Sequence, residues 1–317
     1  MEYSKLIIAA DNLMVSPREL ESFLFMLKNG PVKQIELQRG IGFPSSVMRQ
    51  LPLELSDIVL RDGDRFSLRE SKEAEVDQIF KRRTAADTLF EDRLRAASDE
   101  MEKIEKSRSR SYRDFDQFRA TCASSANKVR LMYGHGSLEG RDILFMGDND
   151  LVSFLAAYAQ MAKRLVVLDI DKELVALIQK INDVHGTRIE VQNYNAKRRI
   201  PQEHASSYQV AVTDPPYTPE GIFLFLSRCL SALKGGGVVY LNFGYSQRSR
   251  EKAIPVQELL SDMGLAIEEV RNGFTQYHAA QSIGCRSSLY VLKTTPRSMP
   301  LIKGDFSGNI YTKIRQK

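Results

Sequence analysis

Short apolar runs alternate with amphipathic stretches from residue 120 to residue 294. A short continuous apolar run is typical of a buried strand, and apolar residues three and four apart indicate a helix. Strands that alternate with helices predict an α/β domain with a mostly parallel, doubly wound, Rossmann-like sheet. The predicted strands are 143–146, 164–171, 188–192, 208–217, 238–243, 266–271 and 288–294. The ranges 164–171 and 208–217 include the polar residues that follow the apolar run.

Helices are predicted in the same region from apolar positions that share one face. The last two strands have no helical pattern between them, and this indicates an antiparallel pair that closes the sheet. The segment from Thr295 to Lys317 is rich in Pro, Gly and Lys and is a candidate to fold over the site. The predicted helices are 120–133, 151–161, 173–184, 220–233 and 256–263.

Residues 1–70 have a different pattern and are predicted to form a small separate domain. Its order of helices and hairpin is that of a winged-helix-like domain. Winged helices often bind DNA through a basic recognition helix. The third helix here offers only Arg49, so a dimerisation or lid role is favoured over DNA binding. The predicted helices are 17–28, 32–37 and 45–51, and the predicted hairpin strands are 58–60 and 66–68.

Two further segments complete the predicted organisation. Residues 71–112 are dense in charge with a thin apolar stripe, and this is typical of a helical connector. Residues 113–317 then form the predicted Rossmann-like catalytic domain.

Composition narrows the classes of function. The net charge of +5 permits contact with nucleic acid but does not require it. No apolar run approaches the length of a membrane span, and the N-terminus has no secretory pattern. The three cysteines and four histidines lie far apart, so a cytoplasmic protein without a catalytic metal is expected.

The turn after the first strand of the catalytic domain carries the most informative residues. Gly147 follows the apolar run at once, and a glycine there lets backbone N–H groups approach a ligand. A helix N-terminus already favours anions, so Asp148 and Asp150 in this turn suit a cationic ligand, such as a sulfonium or an amine. The alternative is that Asp148 or Asn149 only caps the following helix.

Two further strand ends fit a nucleoside. An acid roughly 20 residues after the glycine turn can accept both ribose hydroxyls. Asp169 follows its apolar run directly and is favoured for this role, whereas Asp171 better suits a helix cap. Three residues at the end of the next strand, Asn193, Tyr194 and Asn195, are candidates to border an adenine. The alternative is that an Asn there simply caps a turn.

The segment from Asp214 to Tyr217 is the most specific motif. Two prolines between these residues fix the backbone, so a carboxylate and an aromatic ring point in set directions. Together they bind an amine well. The motif is familiar from enzymes that methylate amino groups with S-adenosylmethionine, so the sheet is expected to be of the methyltransferase type. Asp214 is the first candidate to accept the proton of an attacking amine.

With these residues in view, the chain resembles the branched-chain polyamine synthases, also called N4-bis(aminopropyl)spermidine synthases. This family of aminopropyltransferases transfers aminopropyl groups from decarboxylated S-adenosylmethionine to a polyamine nitrogen and releases methylthioadenosine. The resemblance adds Gln117 to the donor-binding residues, and it adds Asp116 to the residues that bind the polyamine with Asn149, Asp150, Asp214 and Tyr217. The segments that carry it are Phe115-Asp-Gln117, Gly147-Asp-Asn-Asp-Leu151, Asp169-Ile-Asp171 and Asp214-Pro-Pro-Tyr-Thr218.

One departure from the family pattern leaves the acceptor open. The middle acid of the family turn is Asn149 here, and Asn cannot take up a proton at neutral pH. Either Asp148, Asp150 or Asp214 does that work, or the acceptor amine differs. The competing hypotheses are an N-methyltransferase that uses intact S-adenosylmethionine on an amine or a nucleic-acid base, and a regulator that keeps only the fold. A homodimer is expected in each case.

Overall fold

The computed structural model describes residues 3–108 and 118–311 and divides the chain into two compact units. The first comprises the residues up to Asp92 together with Gly134–Gly136, and the second comprises the rest. The charge-dense segment forms one long helix, α5, from Glu73 to Ser107. The domain boundaries drawn from the sequence, at residues 70 and 112, stay a prediction.

The first unit contains four short helices and a small antiparallel sheet. Ser16 and Glu19 form a capping box at the start of α2, and Pro17 occupies its first turn. The predicted second helix is wrong at its start, because Val32 pairs with Phe66 in a strand. The order of the sheet is β1-β3-β2. The elements are α1 (Tyr3–Leu13), α2 (Pro17–Met26), β1 (Val32–Lys33), α3 (Gln34–Ile41), α4 (Ser45–Glu54), β2 (Val59–Asp62) and β3 (Arg65–Leu68).

The helix α1 was not predicted, and the winged-helix-like assignment stays a prediction. The core of this unit is apolar, with one buried ion pair inside it. Arg83 donates from Nε to the carboxylate of Glu21 at 2.7 Å, and Glu21 is only 4% exposed.

The second unit is built on a seven-stranded sheet. Its elements after α5 alternate between helix and strand, as predicted. They are α6 (Cys122–Gly134), β4 (Asp142–Met146), α7 (Val152–Tyr158), β5 (Arg164–Asp169), α8 (Lys172–His185), β6 (Ile189–Asn193), β7 (Tyr208–Thr213), α9 (Pro219–Ala232), β8 (Leu233–Phe243), α10 (Ile254–Asp262), β9 (Leu265–Gln276) and β10 (Arg286–Thr294).

The order of this sheet is β6-β5-β4-β7-β8-β10-β9. The first five strands pair in parallel, and β10 pairs antiparallel with both β8 and β9. The doubly wound α/β prediction is confirmed, and so is the antiparallel pairing of the last two strands. The strand order changes direction between β4 and β7: from β4 the chain adds β5 and β6 on one side of the sheet, and β7 and β8 lie on the other side. Ligands bind beyond the carboxyl ends of the strands at such a point.

Two strands are longer than the sequence predicted. The strand β8 begins at Leu233 and runs through three glycines that precede the predicted strand 238–243. The strand β9 continues past Arg271 to Gln276, because its residues pair with β10 along that length. These added residues are mostly polar and have no apolar alternation, so sequence reasoning missed them. The extension brings Tyr277 to the edge of the sheet where the site lies.

Over the part of the chain that the structure describes, no helix is long and apolar enough to cross a membrane.

Candidate active site

A cavity of about 590 Å³ lies in the second unit, beyond the carboxyl ends of β4, β5, β6 and β7. Of the described residues that the sequence placed in the site, all but Asn193 line the cavity, and Tyr194 is among those that do. Asp116 and Gln117 lie outside the described residues. The predicted residues that line the cavity are Gly147, Asp148, Asn149, Asp150, Asp169, Tyr194, Asn195, Asp214 and Tyr217.

Gly147 makes the sharp turn at the end of β4. Its φ of 77° lies in the left-handed region, which glycine adopts without the steric cost of a Cβ atom. The N–H of Gly147 donates to the carbonyl of Leu168 at 2.9 Å. The next N–H, that of Asp148, donates to Asp169 Oδ2 at 3.1 Å. The turn and the end of β5 are therefore fixed to one another.

The carboxylate of Asp148 points at the start of α7. It accepts hydrogen bonds from the N–H groups of Val152 at 2.9 Å and Ser153 at 3.1 Å. The N-cap residue of α7 is Leu151 rather than Asp148 or Asn149, but the carboxylate of Asp148 still binds the first N–H groups of that helix. Asp148 also lines the cavity. Burial raises the pKa of Asp148 to about 7, against the effect of its hydrogen bonds with Ser153. A catalytic role for this residue stays a prediction.

Asn149 is held by an arginine that the sequence did not single out. Arg108 donates from Nη2 to Asn149 Oδ1 at 2.7 Å and from Nη1 to the carbonyl of Asn149 at 2.8 Å. Arg108 also pairs with Glu105 at 2.6 Å. The Nδ2 atom of Asn149 is buried and has no hydrogen-bond partner among the described residues. The side chain is therefore fixed through its oxygen alone.

Asp150 is buried and bound by the backbone of the segment before α6. Its Oδ1 accepts from the N–H of Ala120 at 2.7 Å, and its carbonyl accepts from Ser125 Oγ at 3.0 Å. Burial raises the pKa of Asp150, and the positive charge of Lys128 acts in the opposite direction. Lys128, on α6, is 2% exposed and lines the cavity. The sequence pattern of α6 gave no sign that this lysine would be buried in a site.

Asp171 has the capping role that its position indicated, whereas Asp169 lies on the wall of the cavity. Asp171 caps α8 by accepting from the N–H of Glu173 at 2.9 Å. Asp169 is 4% exposed and accepts from the N–H groups of Asp148 and Asp171 on its two oxygens. Burial raises the pKa of Asp169 to about 6. Its binding of a ribose stays a prediction.

Asn195 lines the cavity and also stabilises a turn. Its Oδ1 accepts from the N–H of Lys197 at 3.0 Å. The nearby Asn193 instead donates to the carbonyls of Asp169 at 3.2 Å and Ile170 at 2.9 Å. The turn contact drawn as one alternative for Asn195 is therefore present, and its contact with an adenine stays a prediction.

Asp214 receives a hydrogen bond on each of its carboxylate oxygens. Tyr217 donates to Oδ1 at 2.7 Å and Tyr277 donates to Oδ2 at 2.5 Å. Burial, with a contribution from Asp150, raises the pKa of Asp214 to about 6, and Lys128 lowers it. Tyr277 was missed because it follows the polar end of β9, where the sequence pattern predicts neither a strand nor a motif.

The C-terminal segment reaches the cavity, as the sequence indicated. Ile310 and Tyr311 line it, and the carbonyl of Ile310 accepts from Thr218 Oγ1 at 2.8 Å. Arg228 is fully buried on α9 and donates to the carbonyls of Ile302 at 3.0 Å and Gly304 at 2.7 Å. The segment is therefore tied down on both sides of its path to the site.

Within residues 3–108 and 118–311, no group of three or more His, Cys, Asp or Glu side chains has the geometry to hold a metal ion. A reaction that needs no metal stays a prediction.

Comparisons with known proteins identify the family of this chain. The family model described as the branched-chain polyamine synthase A C-terminal domain matches residues 97–297, more than half of the chain. The chain belongs to the branched-chain polyamine synthase family. The resemblance drawn from the motifs is therefore confirmed.

Two curated relatives show how far the similarity extends. An uncharacterised protein of Methanocaldococcus jannaschii is 34% identical over 197 residues, which make up 62% of this chain and 49% of that protein. The N(4)-bis(aminopropyl)spermidine synthase of Thermus thermophilus is 32% identical over 173 residues, 54% of this chain and 50% of that enzyme. The chain spans about half the length of the curated relatives it matches.

A solved structure shares the fold over almost the whole chain. It is the branched-chain polyamine synthase from Thermus thermophilus, in complex with N4-aminopropylspermidine and 5′-methylthioadenosine. The TM-score is 0.62 at 22% identity, with 98% of each chain covered. The chain therefore has the same fold as that polyamine synthase.

Proposed function

We propose that this member of the branched-chain polyamine synthase family is an aminopropyltransferase. It moves an aminopropyl group from decarboxylated S-adenosylmethionine to a nitrogen of a polyamine and releases methylthioadenosine. The observation that carries the proposal is the set of four carboxylates on one cavity, from Asp148, Asp150, Asp169 and Asp214. Both reactants are cations, and a cavity lined with acids offsets their charges.

The donor nucleoside fits the part of the cavity beyond β4 and β5. Asp169 lies there and can accept hydrogen bonds from the ribose hydroxyls through its remaining lone pairs. Apolar side chains of Leu168, Ile170 and Phe225 line the same cavity and can contact the adenine ring. Asn195, also on the wall, can hydrogen-bond a ring nitrogen or the amino group.

The acceptor amine fits beside Asp214. The attacking nitrogen uses its lone pair to form a bond to the aminopropyl carbon, and the carbon–sulfur bond breaks with its electrons going to sulfur. The sulfonium charge is thereby neutralised, and the proton of the nitrogen passes to Asp214. A pKa of about 6 places this carboxyl close to neutral pH, where a proton acceptor is most useful. The remaining contribution is alignment of the two reactants.

The ligands of the Thermus thermophilus structure support this assignment. That enzyme is bound to N4-aminopropylspermidine and 5′-methylthioadenosine, a branched polyamine and a nucleoside thioether. We assign the same two classes of ligand to this chain, with the decarboxylated donor as co-substrate.

Lys128 favours one competing function. It is a buried cation on the same cavity, and it could pair with the carboxylate of intact S-adenosylmethionine. An N-methyltransferase that acts on an amine is therefore the second candidate.

One experiment separates the two functions. Purified protein is incubated with decarboxylated or intact S-adenosylmethionine and with a panel of putrescine, spermidine and spermine. We expect methylthioadenosine and an extended polyamine only with the decarboxylated donor and an amine. S-adenosylhomocysteine as product would instead establish methylation. Methylthioadenosine formed from the intact donor would indicate transfer of an aminocarboxypropyl group, and it too would contradict the proposal.

Two further proposals concern the state of the protein in the cell. We propose a cytoplasmic homodimer that does not require nucleic acid. The three described cysteines are free thiols, as in a reducing compartment. Light scattering after size-exclusion chromatography tests the dimer, and cell fractionation tests the location.

A further inference from the structure

A chain of polar side chains lies behind Asp214 and is not explained by ligand binding alone. Tyr277, which donates to Asp214 Oδ2 at 2.5 Å, also lies 2.8 Å from Ser287 Oγ. Ser287 Oγ in turn accepts from Asn242 Nδ2 at 3.0 Å. Asn242 Nδ2 also donates to Thr275 Oγ1 at 2.6 Å. The chain crosses three neighbouring strands, β8, β10 and β9.

These groups are buried in the sheet. Asn242 and Thr275 are 0% exposed and Ser287 is 2% exposed. Burial of a polar group costs free energy because the group leaves water. Hydrogen bonds inside the protein only offset that cost. An apolar core would fill the same space, so the polar chain calls for a functional reason.

The hydrogen bonds in this chain have a direction. Asn242 Nδ2 carries two hydrogens, and its two shortest acceptors are Thr275 and Ser287. The single hydrogen of Ser287 is then directed to the oxygen of Tyr277. The hydrogen of Tyr277 is left for Asp214. Each group donates to the next one, from the amide to the carboxylate.

The chain does not conduct a proton out of the site. Within the described residues it ends at Asn242 and Thr275, which have no exposed surface. A proton taken up by Asp214 therefore has no exit through the sheet and must leave by the cavity. The polar chain is therefore suited to holding the Asp214 carboxylate in place rather than to conducting protons.

We propose that Asn242, acting through Ser287 and Tyr277, is a positioning device that keeps Asp214 ionised and aimed at the acceptor amine. The proposal rests on the proposed function, because it assumes that Asp214 accepts the proton of that amine. Tyr277 lines the cavity, whereas Asn242 acts only through its neighbours.

The charged groups around Asp214 set the direction of the expected effect. Asp150 raises the pKa of Asp214, whereas Lys128 and the hydroxyls of Tyr277 and Tyr217 lower it. Lys252 also lines the cavity. Loss of the Tyr277 hydroxyl removes a donor to the ionised carboxylate while the influence of Asp150 remains. The Asp214 carboxyl should then hold its proton to a higher pH.

The test measures the titration of this one carboxyl. The protein is labelled with ¹³C at the aspartate side-chain carboxyl, and the Asp214 signal is assigned by its loss in Asp214→Asn. Tyr277→Phe should move its titration midpoint upward by about one to two pH units, as expected for a hydrogen bond to a charged group. Ser287→Ala should move it in the same direction by less.

A matched control is Tyr208→Phe. Tyr208 is buried in the same sheet, at the opposite end of β7 from Asp214, and its hydroxyl bonds to His204 at 2.6 Å. This variant should leave the Asp214 midpoint unchanged, although it too loses one buried hydroxyl. If Tyr277→Phe does not fold, Ser287→Ala decides the question because it keeps the Tyr277 ring.

The outcomes separate this inference from the proposed function. An unchanged or lowered midpoint in a folded Tyr277→Phe variant would overturn the inference, even if turnover were lost. If the wild-type protein transfers nothing to any amine but the midpoint shifts as described, only the proposed function and the proton-accepting role fail. If both hold, the acid limb of the pH profile of kcat/KM should move upward with the midpoint.

Discussion

The acids of the cavity are held in two different ways. Asp148, Asp150 and Asp169, beyond β4 and β5, accept hydrogen bonds from backbone N–H groups. Asp214, beyond β7, accepts from the side-chain hydroxyls of Tyr217 and Tyr277. A backbone donor cannot turn away without a change in the fold, whereas a hydroxyl hydrogen can rotate. The first group is therefore suited to rigid binding and the second to a change of protonation.

The pKa values alone do not reveal this difference. Burial raises the pKa of Asp148 to about 7, that of Asp169 to about 6 and that of Asp214 to about 6. A raised pKa is a common feature of catalytic acids and bases, but burial in a scaffold produces it too. The roles of these acids in binding and in proton transfer are better separated by the donor on each carboxylate. A backbone N–H is fixed, whereas a hydroxyl hydrogen can rotate.

The largest effect should follow from removal of the Asp214 carboxylate. In Asp214→Asn the amine has lost its proton acceptor, so turnover should fall by about 100- to 10,000-fold. The affinity for methylthioadenosine should change little, because the proposed place of the nucleoside is beyond β4 and β5. Turnover is measured by chromatography of the products and affinity by calorimetry.

Asp148→Asn is the variant that sharpens the comparison. Its remaining oxygen can still accept one of the N–H groups of α7, so turnover should stay within about ten-fold of the wild type, and stability should change by about 1 kcal/mol. If Asp148→Asn lost as much turnover as Asp214→Asn, the division between a scaffold acid and a proton-accepting acid would be wrong.

A smaller effect is expected for the nucleoside. Asp169→Asn removes a charged acceptor of the ribose hydroxyls, and affinity for methylthioadenosine should fall by about 10- to 100-fold. Asp171→Ala is the matched control, since Asp171 caps α8 and points its carboxylate at Glu173 N. This control should lose about 1 kcal/mol of stability and keep its affinity. Equal affinities in all three proteins would remove Asp169 from the site.

Sequence reasoning recovered the part of the site that lies on strand ends. The apolar runs before Gly147, Asp169 and Asp214 locate the strands, and parallel strands bring their carboxyl ends to one edge of the sheet. Because of this topology, these three residues line the same cavity. The Asp-Pro-Pro-Tyr loop could be predicted for the same reason, because the prolines restrict the backbone locally.

The residues that were missed depend on pairing between distant segments. Tyr277 follows β9 and contacts Asp214, which follows β7, and the order of strands in a sheet is not written in a local pattern. Arg108 was placed in the charge-dense segment 71–112, and nothing in that segment indicates its bond to Asn149. Lys128 lies on a helix whose stripe is not strongly apolar, so its burial could not be predicted.

Stability should depend on pH in a direction set by these buried acids. The folded protein holds the protons of Asp148 and Asp169 up to about pH 7 and about pH 6, whereas an unfolded chain releases them near pH 4. The native state therefore binds more protons in this range, and its free energy of unfolding should fall as the pH rises through it. Thermal unfolding at a series of pH values measures this slope.

A bound polyamine should oppose this loss of stability at higher pH. If spermine binds the ionised cavity as proposed, it should raise Tm by more at about pH 8 than at about pH 5, beyond the effect of sodium chloride at equal ionic strength. Asp148→Asn cannot ionise at this position and should flatten the pH slope. An increase of stability from pH 4 to pH 7 in the wild type, with the same slope in the variant, would contradict the assignment of these pKa values.

The smallest effect concerns the asparagine in the acidic turn. Asn149→Asp restores a second carboxylate near the acceptor, and turnover at a secondary amine should rise relative to turnover at a primary amine. The guanidinium of Arg108 already binds the Asn149 oxygen, however, and it would pair with the new carboxylate. Such a pair stabilises the ionised form and makes it a poorer proton acceptor. The gain should therefore be limited to about five-fold, the equivalent of about 1 kcal/mol.

Variants of Arg108, which binds Asn149, test this explanation directly. In the double variant of Asn149→Asp with Arg108→Gln, the new carboxylate is no longer paired with a cation, so the share of branched product from spermidine should rise further. Arg108→Gln alone should leave that share unchanged, because Asn149 accepts no proton in either case. Mass spectrometry of the products distinguishes branched from linear polyamines. If the share of branched product is the same in all of these proteins, Asn149 does not determine which nitrogen is extended, and the choice lies with Asp214 and the residues that hold it.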